Sequence, residues 1–255
     1  MSHKLRHDTV DTAYKSLYKL GGAAALIVAA LTLGEIVFFM FYPQPGTIFD
    51  WFDLFQNNAL IGLLDFWGFE IPMYLMFILV FLALYELLRT NNQGMMAIVM
   101  ICVILGSAIF LATNNPFSML TLSNQHATTT TDVEKTALLA AGQAILANTN
   151  QRAIGGFNIG LFLVSVAGLI TSLVMMRSQV FRRSTAYIGI LAFTLSLADY
   201  VRQALTQSVM IALLVILLGA LFLLFWFIRV GLRLYELGLG EGKRYPRHQK
   251  LGRET

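Results

Sequence analysis

The chain has one cysteine, Cys102, five prolines and four histidines in 255 residues. A single cysteine excludes an internal disulfide and any metal site built on several thiolates. His3, His7, His126 and His248 form no HExxH pattern, and no GxSxG elbow is present for a serine nucleophile. No catalytic residue, metal or cofactor is expected. Charge is scarce too: 13% of residues are Asp, Glu, Lys or Arg, against about a quarter in soluble domains. So few charges cannot clothe a globule in solvated side chains. What fills the gap is apolar, with 57% hydrophobic residues and a mean hydropathy of +0.68. The chain reads as an integral membrane protein in a lipid bilayer. The pI near 9.3 raises nucleic acid as a partner. That reading is rejected, because the basic residues flank apolar runs, as topology signals do.

Six runs are apolar enough to span: about 20–42, 71–88, 95–113, 156–176, 186–205 and 210–228. About 20 residues cross the hydrocarbon. The first run is too long for a signal-peptide core of about 7–15 residues, so it reads as an uncleaved anchor. In it Gly21, Ala25 and Ala29 recur every fourth position, a spacing that lets another helix approach. Gly156 and Gly160 form a GxxxG pair in the fourth run. Between the first two runs, Phe49, Trp51, Phe52 and Phe55 mix with Asp50 and Asp53, a composition suited to the headgroup boundary. The fifth run holds Asp199 and Arg202, and charge counting decides it. With six spans and both ends cytoplasmic, 15 of the 18 Lys and Arg lie inside, leaving Lys135, Arg152 and Arg202 outside. The expected fold is therefore an all-α membrane protein of the cell membrane. It has six transmembrane helices, a cytoplasmic segment 1–19, a basic cytoplasmic tail 229–255 and an outer segment 114–152 between the third and fourth spans.

That outer segment is the longest that lipid excludes. Asn114, Asn115 and Pro116 end the third helix. Thr131, Asp132, Val133 and Glu134 fit a capping box, which predicts an amphipathic helix from Asp132 to about Ala147. Val133, Ala137, Ala140, Ala141, Ala144 and Ile145 share one face, expected to pack on the mouth of the bundle as an ordered lid. The run Asn115-Pro-Phe-Ser-Met-Leu, then Leu122-Ser-Asn-Gln, the alanine-rich acidic helix and the later GGFNIGLFLVSVAGLITSLVMMRS stretch resemble the bacterial domain-of-unknown-function 4386 family. The resemblance covers roughly Ala59 to Leu205. It implies a multi-pass membrane protein and carries no activity. His126 stands where the family pattern leads one to expect tyrosine.

The candidate site residues are polar groups at the outer ends of spans. Glu35 lies about 22 Å along its helix from Leu20. An intramembrane carboxylate there reads as a structural ion pair or a residue close enough to the mouth to reach water, or as a proton or cation relay partnered by Arg202 or Arg152. Asn114, Asn115, Asn158, Asp199 and Arg202 either cap helices or line one outward pocket. Ser123, Gln125 and His126 read as polar loop residues; hydrolysis would require a carboxylate within reach of His126. Lys243, Arg244, Arg247 and Lys250 of the tail suit anionic lipid. Three functions are consistent with this set. The favoured one is a non-enzymatic accessory or scaffold protein whose lid meets a membrane-protein partner or a lipid. A small transporter or channel would need a polar cavity reaching Glu35, and a membrane-embedded hydrolase would need the His126 constellation.

Overall fold

The computed structural model describes residues 14–149, 158–205 and 208–240. Among them there are only helices, turns and connections. Six long helices carry the bundle: α1 (Lys15–Phe41), α4 (Glu70–Leu88), α5 (Gln93–Thr113), α8 (Ile159–Met175), α9 (Arg183–Leu205) and α10 (Val209–Leu239). The remaining elements are α2 (Ile48–Asn57), α3 (Ala59–Leu63), a π turn (Leu64–Gly68), α6 (Pro116–Thr128) and α7 (Asp132–Thr149). Near-continuous apolar sequence explains the long helices, since lipid cannot satisfy backbone groups and a helix satisfies its own. Polar residues set several ends. Asn92 accepts from the Met95 amide at 3.1 Å and starts α5. Asn158 does the same for Leu161 at 2.9 Å and starts α8. Gly240, at φ +85°, stops α10.

Each long helix runs antiparallel to its neighbours, and the six close into a ring in chain order, with α10 returning to α1. The seams are close. A Cβ on Gly22 would lie 2.7 Å from the Tyr235 amide nitrogen and 2.9 Å from the Gly231 oxygen, so α1 and α10 meet backbone to backbone. Gly106 and Gly160 stand in the same relation, each with a notional Cβ 2.8 Å from the other's oxygen. Gly21, Ala25 and Ala29 are buried, Gly21 against Ala83. Lys15 and Lys19 lie beside Gly238, which puts the two ends of the described bundle at one face.

The interior of the ring is aromatic. Phe77 stacks on Phe227 with centroids 5.6 Å apart, and Phe81 meets Trp226 at 6.2 Å. α4 and α10 flank α1 without being ring neighbours, so these contacts lie inside the ring. Phe193 closes edge-on against Trp226 at 5.1 Å. Trp226 and Phe81 are fully buried.

Among the described residues, five helical stretches are long and apolar enough to cross a membrane; α8, also apolar, has 17 residues. The helices run beyond several of the apolar runs. α1 starts at Lys15 rather than Leu20, taking in part of the segment expected as a cytoplasmic arm, and α10 continues to Leu239, well past residue 228. Apolarity marks where a helix meets lipid, whereas backbone hydrogen bonding carries it on into the interface. Residues 150–157, with Arg152 and Gly156, lie outside the described residues.

Candidate functional site

At the face opposite Lys15 and Gly240, the short helices form a cap over the bundle. Its first half is built by local capping. The Thr47 amide donates to Asp50 at 3.0 Å and the Asp50 amide to the Thr47 hydroxyl at 3.2 Å, a reciprocal box that starts α2. Asn58 accepts from the Ile61 amide at 3.1 Å and starts α3. α2 then buries Trp51, Phe52 and Phe55, and Trp51 meets Phe66 of the π turn edge-on at 5.2 Å. The stretch expected at the headgroup boundary is thus a folded layer, and the outer segment is only the other half of the cap.

The two halves are tied at Ser123 of α6. Its hydroxyl donates to the Phe52 carbonyl at 2.9 Å and accepts from Gln56 Nε2 at 2.9 Å. His126, one turn on, packs against the Phe52 ring at 5.2 Å. Ser123→Ala removes this tie, while Gln56 Nε2 keeps the Asn124 side-chain oxygen as acceptor at 3.1 Å, so the cost is about 1 kcal/mol. Hydrogen exchange in α2 and α6 should accelerate accordingly, while exchange in α10 stays unchanged.

α7 packs by a different face from the one expected. Gly142 and Leu146 are buried, and a Cβ on Gly142 would lie 2.5 Å from Ile48 Cδ1 and 3.1 Å from Phe52. Val133, Ala137, Ala141 and Ala144 face outward. At its start, the Glu134 carboxylate accepts hydrogen bonds from the hydroxyls of Thr129 and Thr131, which hold it below the usual carboxylate range. A lowered pKa means the contribution is fully present above the ordinary glutamate value and is lost as pH falls through the lowered one. A carboxyl NMR titration should find Glu134 depressed in the wild type and moved upward in Thr129→Ala.

The junction between cap and bundle holds the most unusual backbone among the described residues. Inside the π turn Trp67 adopts φ +68°, the one non-glycine residue with positive φ among those described. Its ring is held edge-on against Phe110 of α5 at 5.5 Å, and Phe110 stacks on Tyr74 at 3.8 Å. This packing offsets a backbone strain of order 1–3 kcal/mol. Beside the turn a pocket of about 300 Å³ opens outward, with Tyr42, Asp50, Asp53, Asn57 and buried Asp65 in its wall. Among the described residues no group of three or more His, Cys, Asp or Glu is placed to hold a metal ion.

Residues 53–231 match the model of a protein family described as a domain of unknown function, DUF4386. The chain belongs to the DUF4386 family. No curated protein and no solved structure matches it. The DUF4386 match takes in the bundle from α4 to most of α10 and nearly all of the cap, leaving out α1 and the Thr47–Asp50 box.

The candidate residues occupy separate places in this DUF4386 fold. Asn115 accepts from the Phe117 amide at 3.0 Å and Asn158 caps α8, so both hold helix starts. Buried Asn114 donates to the Phe110 carbonyl and to the Thr113 hydroxyl, each at 3.0 Å. Arg202 pairs with Asp199 at 2.6 Å, and Gln203 donates to the same carboxylate at 2.8 Å. Tyr200 between them donates to the Asn158 carbonyl at 2.9 Å, which links α9 to the start of α8. The Gln125 side chain is exposed, and its carbonyl ends α6 by accepting from Thr129 at 3.0 Å. Half-buried Glu35 sits one turn before Phe38, which packs on Phe69 at 5.4 Å. Glu35, Asn114, Asn158, Asp199 and Arg202 are not in the wall of the Asp65 pocket. That acidic pocket was not read from the sequence; Asp50, Asp53 and Asp65 meet only because the π turn folds back beside α2. Lys243, Arg244, Arg247 and Lys250 lie outside the described residues.

Proposed function

We propose that this DUF4386 protein is a six-span, non-enzymatic accessory or scaffold protein, with both ends cytoplasmic and the cap as an extracytoplasmic docking module. The observation that carries this reading is the aromatic interior of the ring. A conduit needs a polar path along the axis, and here Phe77, Phe81, Phe193, Trp226 and Phe227 pack inside the ring. Charge distribution supports the orientation. Of the ten described Lys and Arg, eight lie toward the face of Lys15 and Gly240, whereas eight of the ten described Asp and Glu lie in the outer half or the cap. The hydroxyl of Ser123 is engaged with the Phe52 carbonyl rather than with a base, which favours a structural role over hydrolysis. On this reading α8 crosses despite its length, its span completed by thinning of the bilayer or by flanking residues. The test is flux. Proteoliposomes holding wild type and Glu35→Gln should take up protons and small cations no faster than protein-free vesicles. Uptake that depends on Glu35 would replace the scaffold reading with the transporter one.

A further inference from the structure

The face of the bundle that carries both chain ends is unevenly neutralised. Its two described acids are each engaged by an arginine: Glu86 with Arg89 at 2.5 Å and Glu236 with Arg233 at 3.0 Å. Arg177, Arg182, Arg183 and Arg229 remain exposed there. Arg229 has a fixed place among them. Its Nη1 donates to the Ser184 hydroxyl at 2.9 Å, which bridges α10 to α9 at the residue that follows Arg183 in the chain.

Below this bridge, toward the membrane interior, the two helices present matching apolar stripes. Tyr187 and Leu191 of α9 are exposed at helical spacing from Ser184, and Phe225, Leu221 and Leu218 of α10 at helical spacing from Arg229. The stripes run side by side, because Gly189 packs against Trp226 and Gly219 against Leu195. Two guanidiniums and a hydroxyl at the headgroup level, above a furrow of leucine and aromatic side chains, match the two ends of one lipid molecule. Guanidinium binds phosphate oxygens in paired hydrogen bonds.

We propose that Arg183, Ser184 and Arg229 bind the phosphate of an anionic phospholipid whose acyl chain lies along the α9–α10 furrow. The proposal rests on the bundle spanning a bilayer, and it places lipid recognition on the helices rather than on the tail. Each guanidinium that hydrogen-bonds the phosphate directly contributes about fivefold in affinity, a contribution that a basic residue elsewhere on this face does not make.

The full chain in nanodiscs, with phosphatidylglycerol titrated into phosphatidylcholine, tests it by native mass spectrometry of retained lipid and by thermal unfolding. Wild type should retain phosphatidylglycerol preferentially and unfold at higher temperature with it. Arg183→Gln with Arg229→Gln should lose roughly 25-fold of that preference, while its unfolding in phosphatidylcholine alone falls only by the loss of the exposed Arg229–Ser184 bond. If the double variant does not fold, the exposed single change Arg183→Gln carries the test, with an expected loss of roughly fivefold. Lys19→Gln removes a charge from the same face on α1 and should change the preference less than twofold. An equal loss in Lys19→Gln, an unaltered preference in the Arg183 and Arg229 variants, or the same stabilisation by soluble glycerol phosphate would overturn the site. Failure of the six-span reading would show instead in the sidedness of the chain, which lipid preference does not report.

Discussion

Gly22→Ala should be among the most damaging single-methyl changes in the protein. Alanine has the higher helix propensity, by about 1 kcal/mol, so an exposed helical glycine should gain from the same change. Gly94 is that control, since the nearest atom to its added Cβ is Asn92 Oδ1 at 3.9 Å. At Gly22 the added carbon meets backbone on the facing helix, with the Tyr235 amide nitrogen at 2.7 Å and the Gly231 oxygen at 2.9 Å. Backbone within a helix cannot swing aside as a side-chain end can. The seam must open along its length, at a cost of about 1–3 kcal/mol, which exceeds the propensity gain across most of that range. This seam closes the ring, so the loss falls on the whole bundle. Thermal unfolding in one detergent should rank Gly22→Ala below wild type and Gly94→Ala at or above it.

Trp226→Ala should cost about 3 kcal/mol or more. Trp226 is fully buried and touches the rings of Phe81, Phe193 and Phe227. The origin of the cost differs from that in a soluble core. Lipid tails are as apolar as the interior, so the transfer contribution is muted, and the loss is mainly of van der Waals contact around a void. The neighbouring phenylalanines can collapse only partly, since Phe77 is held by Phe227 and Phe193 is wedged against Gly168. The void is lined mainly by apolar rings, and the Ser172 hydroxyl at its edge already donates to the Gly168 carbonyl at 2.8 Å, so the void should stay dry. Unfolding in detergent should therefore move well below wild type, while vesicles carrying the variant stay as tight to protons as those carrying wild type.

The long helices were legible because each is a run of apolar sequence, and apolarity alone decides what enters lipid. Asn92, Asn115 and Asn158 at helix starts were legible in kind, as side chains that accept from free amides. The cap was read in half. Phe49 to Phe55 looks interfacial by composition, and its burial depends on the Thr47–Asp50 box and on Ser123 reaching the Phe52 carbonyl, a contact between segments far apart in sequence. The inward face of α7 was misread for a related reason. Alanines at helical spacing suggested close packing, but Gly142, smaller still, makes the approach to Ile48 and Phe52 and turns the alanines outward. Positive φ at Trp67 has no signature in composition or periodicity. It goes with packing on Phe110 and with the kink between α3 and α4.

Sidedness is the most direct test of the six-span, capped bundle. With Cys102 replaced by serine, single cysteines at Gly46 and Thr130 mark the cap side, and cysteines at Asn91, Gln179 and Glu236 mark the opposite face. A membrane-impermeant thiol reagent applied to intact cells should label Gly46→Cys and Thr130→Cys, and should label the other three only after the membrane is opened. Labelling of Gln179→Cys from outside would mean that α8 does not cross, and labelling of all five from one side would contradict the architecture proposed here.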